Sequence, residues 1–410
     1  MSPLLLLWLR RCNAKLAFPA LVAVAVVFVL GRTGWDWEWH RAMDWAAGST
    51  ILLGPLTAGL VAFDFWRLMP AGLSSVMAGA ARGRVAVLGP VVSTWAYAVI
   101  ACAVGLGLAA VRTVQHGADG SPSWWFAVQA PVALFAAASL GALVGSLLAN
   151  VAAAPVAAFA AYLVPVAGGL LGIPDLLVAG GATGSLIGVV PDVGVMLMTI
   201  VVDLLVAVSC LALVMMRVSV RSRVSAISTG AAVATLLAST SLLVALEPAQ
   251  NGFRPSAVDK VCAGGSIVVC GPRGGRAIYV IAQQDITRAW SSLGDLGDPP
   301  PAGYEYAVGV TPPARDAGLL YVTTESIAGN ELDPWDLAAT IATPTACRAF
   351  YADVPPAELL EGQRRLTEWV VARLAGEEDS GPTQLAAAQD TYAALTSCRP
   401  EEVPDWDAMP

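Results

Sequence analysis

Four cysteines in the C-terminal part of the chain have the even number that disulfides require. They are Cys262, Cys270, Cys347 and Cys398. Paired cysteines in an exported segment predict disulfides, and four of them allow three pairings. We favour Cys262 with Cys270 and Cys347 with Cys398, because each pair closes within one local unit. A zinc site is the alternative, but both histidines lie in the N-terminal half and the cysteine spacings do not match a zinc knuckle.

Two acidic residues interrupt apolar segments and are candidates for polar chemistry inside a membrane. Asp203 lies near the middle of residues 193–216, and a carboxylate at mid-membrane costs roughly 2.5–3.5 kcal/mol on insertion scales. Two readings of Asp203 stay open: a group that lines a translocation path or relays protons, and a buried group that hydrogen-bonds to a neighbouring helix. Asp64 lies three residues before Arg67, so we expect these two side chains to pair on one helical face, which favours a structural role for Asp64.

No enzyme signature is present in the chain. A phosphate-binding loop needs a lysine after glycine, and the two lysines, Lys15 and Lys260, do not follow that pattern. A metalloprotease helix needs two histidines on one face, and the sequence has no such pair. The nucleophile pattern Gly-x-Ser-x-Gly does not occur either. We therefore expect a non-catalytic protein with no cofactor and no metal.

The composition divides the chain into two parts. Hydrophobic residues make up 56% of the chain and charged residues only 13%, which is about half the charged share of an ordinary soluble domain. Residues 1–246 hold 12 Lys/Arg and 8 Asp/Glu, whereas residues 247–410 hold 11 and 23. We expect the first part to lie in the lipid bilayer and the second to be an exported domain. Because an acidic domain repels nucleic acid, no nucleic-acid partner is expected.

Seven segments are apolar enough to be predicted as transmembrane helices. They are residues 16–30, 48–66, 86–111, 124–148, 152–171, 193–216 and 225–246. Residues 1–15 place a run of leucines ahead of Arg10 and Arg11, which predicts a short helix in the cytoplasmic interface. The last segment carries no charge but seven Ser/Thr residues, and its alternative reading is a buried helix of a soluble protein.

Basic residues set the predicted orientation of these helices. Nine Lys/Arg residues fall on one side of the seven segments and three on the other, and the side richer in basic residues faces the cytosol. We therefore predict a cell-membrane protein with a cytosolic N-terminus and an extracellular C-terminal domain, residues 247–410. Residues 33–47 contain four tryptophans, which indicates an outer interfacial segment because indole rings prefer the headgroup layer.

Two segments between the predicted helices have special positions. Residues 70–84 lie on the cytosolic side and predict a short helix parallel to the membrane. Residues 174–191 are apolar but bracketed by Pro-Asp pairs, and they predict an exterior helical hairpin that re-enters part of the membrane. Gly180, Gly184 and Gly188, at four-residue spacing, would give that hairpin a flat strip for close helix packing.

The exterior domain is predicted to mix helices and strands. Strand composition marks residues 266–270, 276–281, 304–310 and 318–323. Helical spacing marks residues 285–293, 333–341, 355–374 and 382–397. The glycine-rich run 271–275 is expected to form a hairpin turn. The predicted fold class is therefore an α-helical integral membrane protein followed by a small disulfide-bonded α+β extracytoplasmic domain.

The order of elements in residues 1–223 resembles that of type-2 permeases of the ATP-binding-cassette exporter class. That family has an N-terminal interfacial helix, six membrane helices, a cytosolic coupling helix between the second and third, and an exterior re-entrant helical pair between the fifth and sixth. Residues 52–87, LLGPLTAGLVAFDFWRLMPAGLSSVMAGAARGRVAV, are similar to the second-helix and coupling-helix stretch of high-GC actinobacterial permeases of this kind. The seventh helix and the exterior domain depart from the family plan.

The resemblance implies a membrane subunit of an ATP-driven export system. A separate cytosolic ATPase subunit would dock on residues 70–84 and on the helix over residues 4–11, with Arg67, Arg82 and Arg84 at the contact. The resemblance also implies a second permease copy or a paralogue, and an unknown exported substrate. A different class stays open, a membrane anchor that displays an extracellular binding or sensing domain and has no transport role. An intramembrane enzyme is the least supported reading, since the sequence offers no paired catalytic groups.

Overall fold

The structure is a computed structural model, and most of the residues it describes are helical. It describes residues 12–68, 83–171, 177–182, 185–218, 252–255, 259–307, 314, 316–321, 326–328, 330–345, 356–377 and 382–406. Three predicted features fall mainly or wholly outside these residues: the interfacial helix over residues 1–15, the coupling helix over residues 70–84, and the seventh membrane helix over residues 225–246.

Apolar helices form a bundle from the N-terminal half of the chain. They are α1 (Ala14–Leu30), α2 (Trp39–Gly48), α3 (Thr50–Leu68), α4 (Gly83–Gln115), α5 (Trp124–Leu148), α6 (Ala153–Leu171) and α7 (Val193–Val218). Helices α2 and α3 follow one another across Ser49. Because α4 already begins at Gly83, the last two residues of the predicted coupling helix belong to the same helix as the third membrane segment.

Four stretches of the described chain are long and apolar enough to cross a membrane, by length and composition. They are Trp39–Leu68, Leu88–Gln115, Trp124–Leu148 and Val193–Arg217. Two further apolar helices, Ala14–Leu30 and Ala153–Ala167, are shorter. The described residues therefore hold four of the seven predicted spans as candidates. The first and fifth predictions fall on the two shorter helices, and the seventh lies outside the described residues.

Small residues allow α3 and α5 to pack closely. A Cβ atom added at Gly145 would lie 2.8 Å from the Cα atom of Ala62, and one added at Gly141 would collide with the carbonyl oxygen of Ala58. Gly141 and Gly145 are four residues apart, so they lie on one face of α5. Between membrane helices such close backbone approach favours association, because lipid supplies no hydrophobic driving force.

The helix ends gather at two opposite ends of the bundle. At the end that carries the C-terminal domain, which we call the domain end, Asp36 lies 3.6 Å from Arg112 and 3.3 Å from His116. This contact joins the chain after α1 to the last turn of α4. At the opposite end, the Arg217 guanidinium donates a hydrogen bond to the carbonyl oxygen of Leu147 at 3.4 Å.

The chain between α6 and α7 is not helical where the structure describes it. Its described residues, 177–182 and 185–191, are irregular apart from the short strand β1 (Val189–Pro191), and we call them the re-entrant segment after the prediction. The helical hairpin predicted here is therefore wrong for these residues. Gly180 and Gly188 have φ angles of 71° and 76°, a left-handed conformation that only glycine adopts without strain and that a helix does not use. Gly184 lies outside the described residues.

The C-terminal domain is α+β, as predicted. Its four-stranded sheet runs in the order β3 (Lys260–Ala263), β4 (Val269–Pro272), β5 (Tyr304–Tyr306) and β6 (Gly318–Leu320). Strands β3 and β4 are antiparallel, whereas the other two pairs are parallel. Three short strands lie outside this sheet: β2 (Phe253–Pro255), β7 (Ile327–Ala328) and β8 (Glu331–Leu332).

One of the two predicted disulfides is confirmed. Cys262 and Cys270 are directly opposed in β3 and β4, and their sulfur atoms are bonded. Cys398 is also disulfide-bonded. Its predicted partner, Cys347, lies outside the described residues, so that pairing stays a prediction.

The helices of the domain are α8 (Arg276–Ser292), α9 (Pro334–Ile341), α10 (Ala357–Leu374) and α11 (Pro382–Ser397). The last three begin and end within two residues of their predicted limits. The strand predicted over residues 276–281 is wrong, because this stretch opens α8. Ile278, Ala282 and Ile286 recur every four residues and are buried on one face, so packing favours the helix over their β-branched composition. The predicted hairpin turn is instead a 3₁₀ turn, Arg273–Gly275, that leads into α8.

The core of the C-terminal domain continues into the bundle. Trp37 and Ile187 belong to the same buried cluster as Ile278 and Tyr279 of α8. Strand β1 of the re-entrant segment also pairs antiparallel with β2. The domain is therefore docked on the re-entrant segment by both apolar packing and backbone hydrogen bonds.

Candidate functional site

A row of polar side chains at the domain end faces the re-entrant segment. Glu38 immediately precedes α2, Arg41 and Asp44 follow it at three-residue spacing within α2, and Thr50 opens α3. All four are buried, with no side chain more than 7% exposed. Charged groups buried at this depth need polar partners within the protein.

Two carboxylates of this row bind backbone amides of the re-entrant segment. Glu38 accepts hydrogen bonds from the amide of Leu186 at 2.8 Å and from the hydroxyl of Ser185 at 2.5 Å. Asp44 accepts one from the amide of Gly181 at 3.2 Å. The amides of this irregular backbone have no helical carbonyl groups to bind. The two carboxylates are therefore their hydrogen-bond acceptors.

Arg41 and Thr50 continue the pattern deeper in the bundle. The Arg41 guanidinium donates a hydrogen bond to the carbonyl oxygen of Ala182 and lies 3.6 Å from the Asp44 carboxylate. The Thr50 hydroxyl accepts a hydrogen bond from the amide of Ala179 at 2.9 Å. Irregular backbone has no ladder of its own, and this row of side chains supplies hydrogen bonds to four backbone groups of the segment.

Asp203 binds the deepest described residue of the re-entrant segment. Its Oδ1 atom accepts a hydrogen bond from the amide of Leu177 at 3.1 Å, and its side chain is completely buried. Asp203 lies about 15 Å along α7 from Val193, at 1.5 Å per residue. The observed partner is thus a backbone amide rather than a side chain of another helix. Within the described residues, the Oδ2 atom has no hydrogen-bond partner.

Asp64 and Arg67, which were also predicted as site residues, lie at the opposite end of the bundle. Asp64 is buried and accepts a hydrogen bond from the side-chain amide of Asn13, whose carbonyl oxygen accepts one from Arg67 at 3.3 Å. The expected Asp64–Arg67 pair is therefore linked through Asn13, and it ties the start of α1 to the end of α3. The backbone of Arg84 lies in the first turn of α4, and Arg82 lies outside the described residues.

A cleft of about 230 Å³ opens where the bundle meets the C-terminal domain, and we call it the junction cleft. Its walls come from the start of α2, the loop after α4, the re-entrant segment and the turn before α8. Apolar side chains and the Trp39 ring form much of its surface. Four of its lining side chains can carry charge: Glu38, His40, Asp119 and Arg273.

Glu38 has an unusual electrostatic environment at this junction. Burial raises the pKa of Glu38 to about 7, although the hydrogen bonds it accepts and the nearby charge of Arg41 act in the opposite direction. Burial also raises the pKa of Tyr306 to about 12, and the neighbouring Glu38 adds to that rise. Glu38 therefore changes charge near neutral pH, at the point where α2, the re-entrant segment and the domain meet.

Glu38, Arg41 and Asp44 were not among the sequence-predicted site residues. The available signal was three charged residues at helical spacing immediately before an apolar run, but the tryptophans around them indicated an interfacial segment. The partners of Arg41 and Asp44 lie 141 and 137 residues further along the chain, so no local pattern identifies them.

The polar groups near the junction cleft come from several elements. Among the described residues there is no group of three or more His, Cys, Asp or Glu side chains that could hold a metal ion. The junction cleft instead offers carboxylates, a guanidinium, an imidazole and an indole face. A scan against protein-family models and searches of curated proteins and of solved structures return no significant match.

Proposed function

We propose that this chain is the membrane-embedded subunit of an ATP-driven export system, with ATP hydrolysis supplied by a separate cytosolic ATPase. The observation that carries the proposal is the re-entrant segment, whose irregular backbone reaches the level of Asp203 between α6 and α7. In membrane proteins such backbone occurs where it is buried in protein or lines a water-filled path, and broken elements near the midplane are typical of transporters.

In this proposal Asp203 and the re-entrant segment lie beside the translocation path. The segment is held by α2, α3 and α7 together, so a relative movement of these helices would change its position. Helices α6 and α7 expose apolar side chains such as Phe159 and Val208, which suit contact with lipid or with a second copy or paralogue of the chain. The exported substrate would pass along that subunit interface.

The distribution of charge supports an orientation with the domain end outside the cell. Lys15, Arg67 and Arg217 lie at the opposite end of the bundle, and Arg32, Arg41 and Arg112 lie at the domain end. The bias of nine basic residues to three in the sequence comes from further residues assigned to the opposite side, such as Arg10, Arg82 and Arg221. Positive residues are retained on the cytosolic side when helices insert. We therefore place the N-terminus and the ATPase contact of residues 67–84 in the cytosol, and the C-terminal domain outside.

The positions of two described residues support the seventh crossing predicted over residues 225–246. Val218 ends α7 at the cytosolic end of the bundle, whereas the carbonyl oxygen of Gly252 accepts a hydrogen bond from the amide of Asp192 at 2.8 Å, just before α7 begins. These two points are separated by the length of a 26-residue helix, about 39 Å. Such a separation suits one further passage through a bilayer core of about 30 Å.

The C-terminal domain would take part in transport through its docking on the re-entrant segment. Val190 of β1 pairs with Arg254 of β2, and Ile187 packs in the core of the domain. A displacement of the segment would therefore move the domain, and a partner that binds the domain would bias the segment. In this role the domain guards the exit of the path or binds the exported cargo.

The junction cleft favours a second candidate function. Ligand sites commonly lie between domains, so the chain would then be a membrane-anchored extracellular binding or sensing protein with no transport role. The two functions require different cytosolic partners, an ATPase for export and a kinase or regulator for sensing.

A pull-down from membranes of the native host tests the choice. The tagged full-length chain is expected to retain an ATPase that the double variant Arg82→Ala/Arg84→Ala loses. The matched control, Arg373→Ala/Arg399→Ala, removes two exposed arginines of the C-terminal domain and should retain it. Absence of an ATPase with the wild-type chain, or equal recovery with both double variants, would contradict the export proposal. Recovery of a kinase or regulator instead would favour sensing.

A further inference from the structure

The junction cleft is built from parts of the chain that are distant in sequence. Its lining comes from residues 38–40, 119–121, 186–190 and 273–274, and its volume of about 230 Å³ suits a small molecule. Both the bundle and the C-terminal domain contribute walls. A pocket of this kind, mostly apolar with a few converging polar groups at a domain boundary, is where small-molecule sites are commonly found.

One wall of the cleft is a fixed aromatic ring. The indole nitrogen of Trp39 donates a hydrogen bond to the carbonyl oxygen of Ala118 at 3.2 Å. Gly120 lies against the same ring, since a Cβ atom added there would be 3.7 Å from the Trp39 Cδ1 atom. The ring is therefore held by the loop after α4 and is not available to rotate out of the wall. A positioned indole face attracts cations through its quadrupole.

Carboxylates outnumber guanidinium groups in the lining of the cleft. Glu38 is 6% exposed, and Asp119, whose side chain is 39% exposed, stands nearer to solvent. The Arg276 guanidinium lies 4.0 Å from Asp119, the limit of an ion pair, and is itself 64% exposed, so it neutralises Asp119 only weakly. Arg273 is an exposed residue of the lining.

The Glu38 carboxylate has capacity for a further partner. Each of its oxygen atoms accepts one hydrogen bond from the protein, from Ser185 and from the amide of Leu186. An ionised carboxylate has about four lone-pair sites, so two remain. A cation in the cleft would compensate the cost of keeping this buried group ionised.

We infer that the junction cleft binds a small organic cation, with Glu38 and Asp119 as its carboxylate partners and Trp39 as its aromatic wall. This site is independent of the ATPase contact and of the direction of transport. The ammonium group would enter between the two carboxylates, and the rest of the molecule would lie on the apolar side chains of Leu186 and Ile187. An aminoalcohol or a lipid headgroup with a quaternary or primary amine has this chemistry.

Binding at this site is expected to depend on pH through Glu38. The elements packed around Glu38 carry several other titratable or charged groups. They are Arg41, His40, Asp119, Arg273, Tyr279 and Tyr306. The pKa of Glu38 is about 7, so the carboxyl group is mostly neutral at pH 6 and mostly ionised at pH 8. A cation binds the ionised form, hence its affinity should rise by up to about tenfold between these two pH values.

Radiolabelled choline is a suitable probe for the full-length protein in dodecyl maltoside, a detergent without an amine. We expect saturable binding that unlabelled choline displaces and that 3,3-dimethylbutan-1-ol, a neutral molecule of the same shape, does not. Displacement by added phosphatidylethanolamine would identify a lipid headgroup as the occupant, and no displacement would indicate a free cation. Binding that does not saturate, or that the neutral alcohol displaces equally, would overturn the inference.

Variants of the two carboxylates assign the site. Glu38→Gln keeps an acceptor for the Leu186 amide, so it should fold, lower choline affinity about tenfold at pH 8 and abolish the dependence on pH. Asp119→Asn lies in a solvent-exposed loop and should weaken binding several-fold without affecting folding. The control Glu358→Gln removes an exposed carboxylate of α10 outside the cleft and should bind as the wild type does. Unchanged binding in both cleft variants would overturn the inference.

Discussion

Three buried carboxylates of this bundle accept hydrogen bonds from backbone amides. Glu38, Asp44 and Asp203 each accept a hydrogen bond from an amide of the re-entrant segment, at 2.8, 3.2 and 3.1 Å respectively. Charge-assisted hydrogen bonds of this type are stronger than those between neutral groups. A buried amide left without a partner is costly, so each carboxylate fixes at least one residue of a segment that has no helical hydrogen bonds of its own.

Asp203→Leu is expected to destabilise the bundle by about 1–3 kcal/mol, because it leaves the buried amide of Leu177 without an acceptor. Asp203→Asn keeps an acceptor oxygen and should cost less than about 1 kcal/mol. Thermal unfolding of the purified protein in detergent measures both. The control is Ser209→Ala on the same helix. The Ser209 hydroxyl is buried and has no partner within the described residues, so its removal should not lower stability. Equal stability of the Leu and Asn variants would contradict the assigned role.

At the scale of elements, hydrophobic periodicity predicts helices of the C-terminal domain, but no sequence pattern predicts the irregular backbone of the re-entrant segment. Helices α9, α10 and α11 were predicted to within two residues, because their apolar spacing is local information. The re-entrant segment was misread as helical because the four-residue spacing of its glycines also occurs in helix-packing strips. The glycines that do pack two helices together, Gly141 and Gly145, have the same spacing. Spacing alone does not distinguish a positive φ angle from a close helix contact.

Gly145→Ala tests the contact between α3 and α5. Its new Cβ atom would lie 2.8 Å from the Cα atom of Ala62, so the helices must separate, and we expect a loss of about 1–3 kcal/mol in unfolding free energy. The control is Gly107→Ala on α4, where nothing lies within 4 Å of the added atom. This change should be neutral or stabilising by up to about 1 kcal/mol, because alanine favours helix. Similar losses in both variants would argue against close packing at Gly145.

At the scale of the whole molecule, composition predicted two parts but not their common core. The change of charge near residue 247 separates an apolar half from an acidic half. Trp37 and Ile187, however, pack with Ile278 of the C-terminal domain. Contacts between residues so far apart in the chain produce no local sequence pattern. The four-strand order of the domain and the junction cleft depend on the same kind of contact. Hydrophobic periodicity therefore could not predict the strand order or the cleft.

Cysteine labelling in cells tests the proposed orientation. Glu401→Cys is exposed on the C-terminal domain, so a membrane-impermeant maleimide should label it in intact cells. Val151→Cys is 63% exposed in the loop between α5 and α6, at the opposite end, and should react only after the cells are permeabilised. The parent chain is the control, because its Cys102 and Cys210 are buried. The reverse labelling pattern would place the C-terminal domain in the cytosol.

The docking of α2 on the re-entrant segment has a consequence for biosynthesis. Arg41 and its acceptor at Ala182 are separated by 141 residues, which a ribosome adds in roughly 7–28 s at about 5–20 residues per second. During that interval the nascent chain carries Glu38, Arg41 and Asp44 without the amides and carbonyl that later satisfy them. We expect a chain truncated before residue 177 to lack these partners permanently, and unpaired polar groups of this kind are costly to bury.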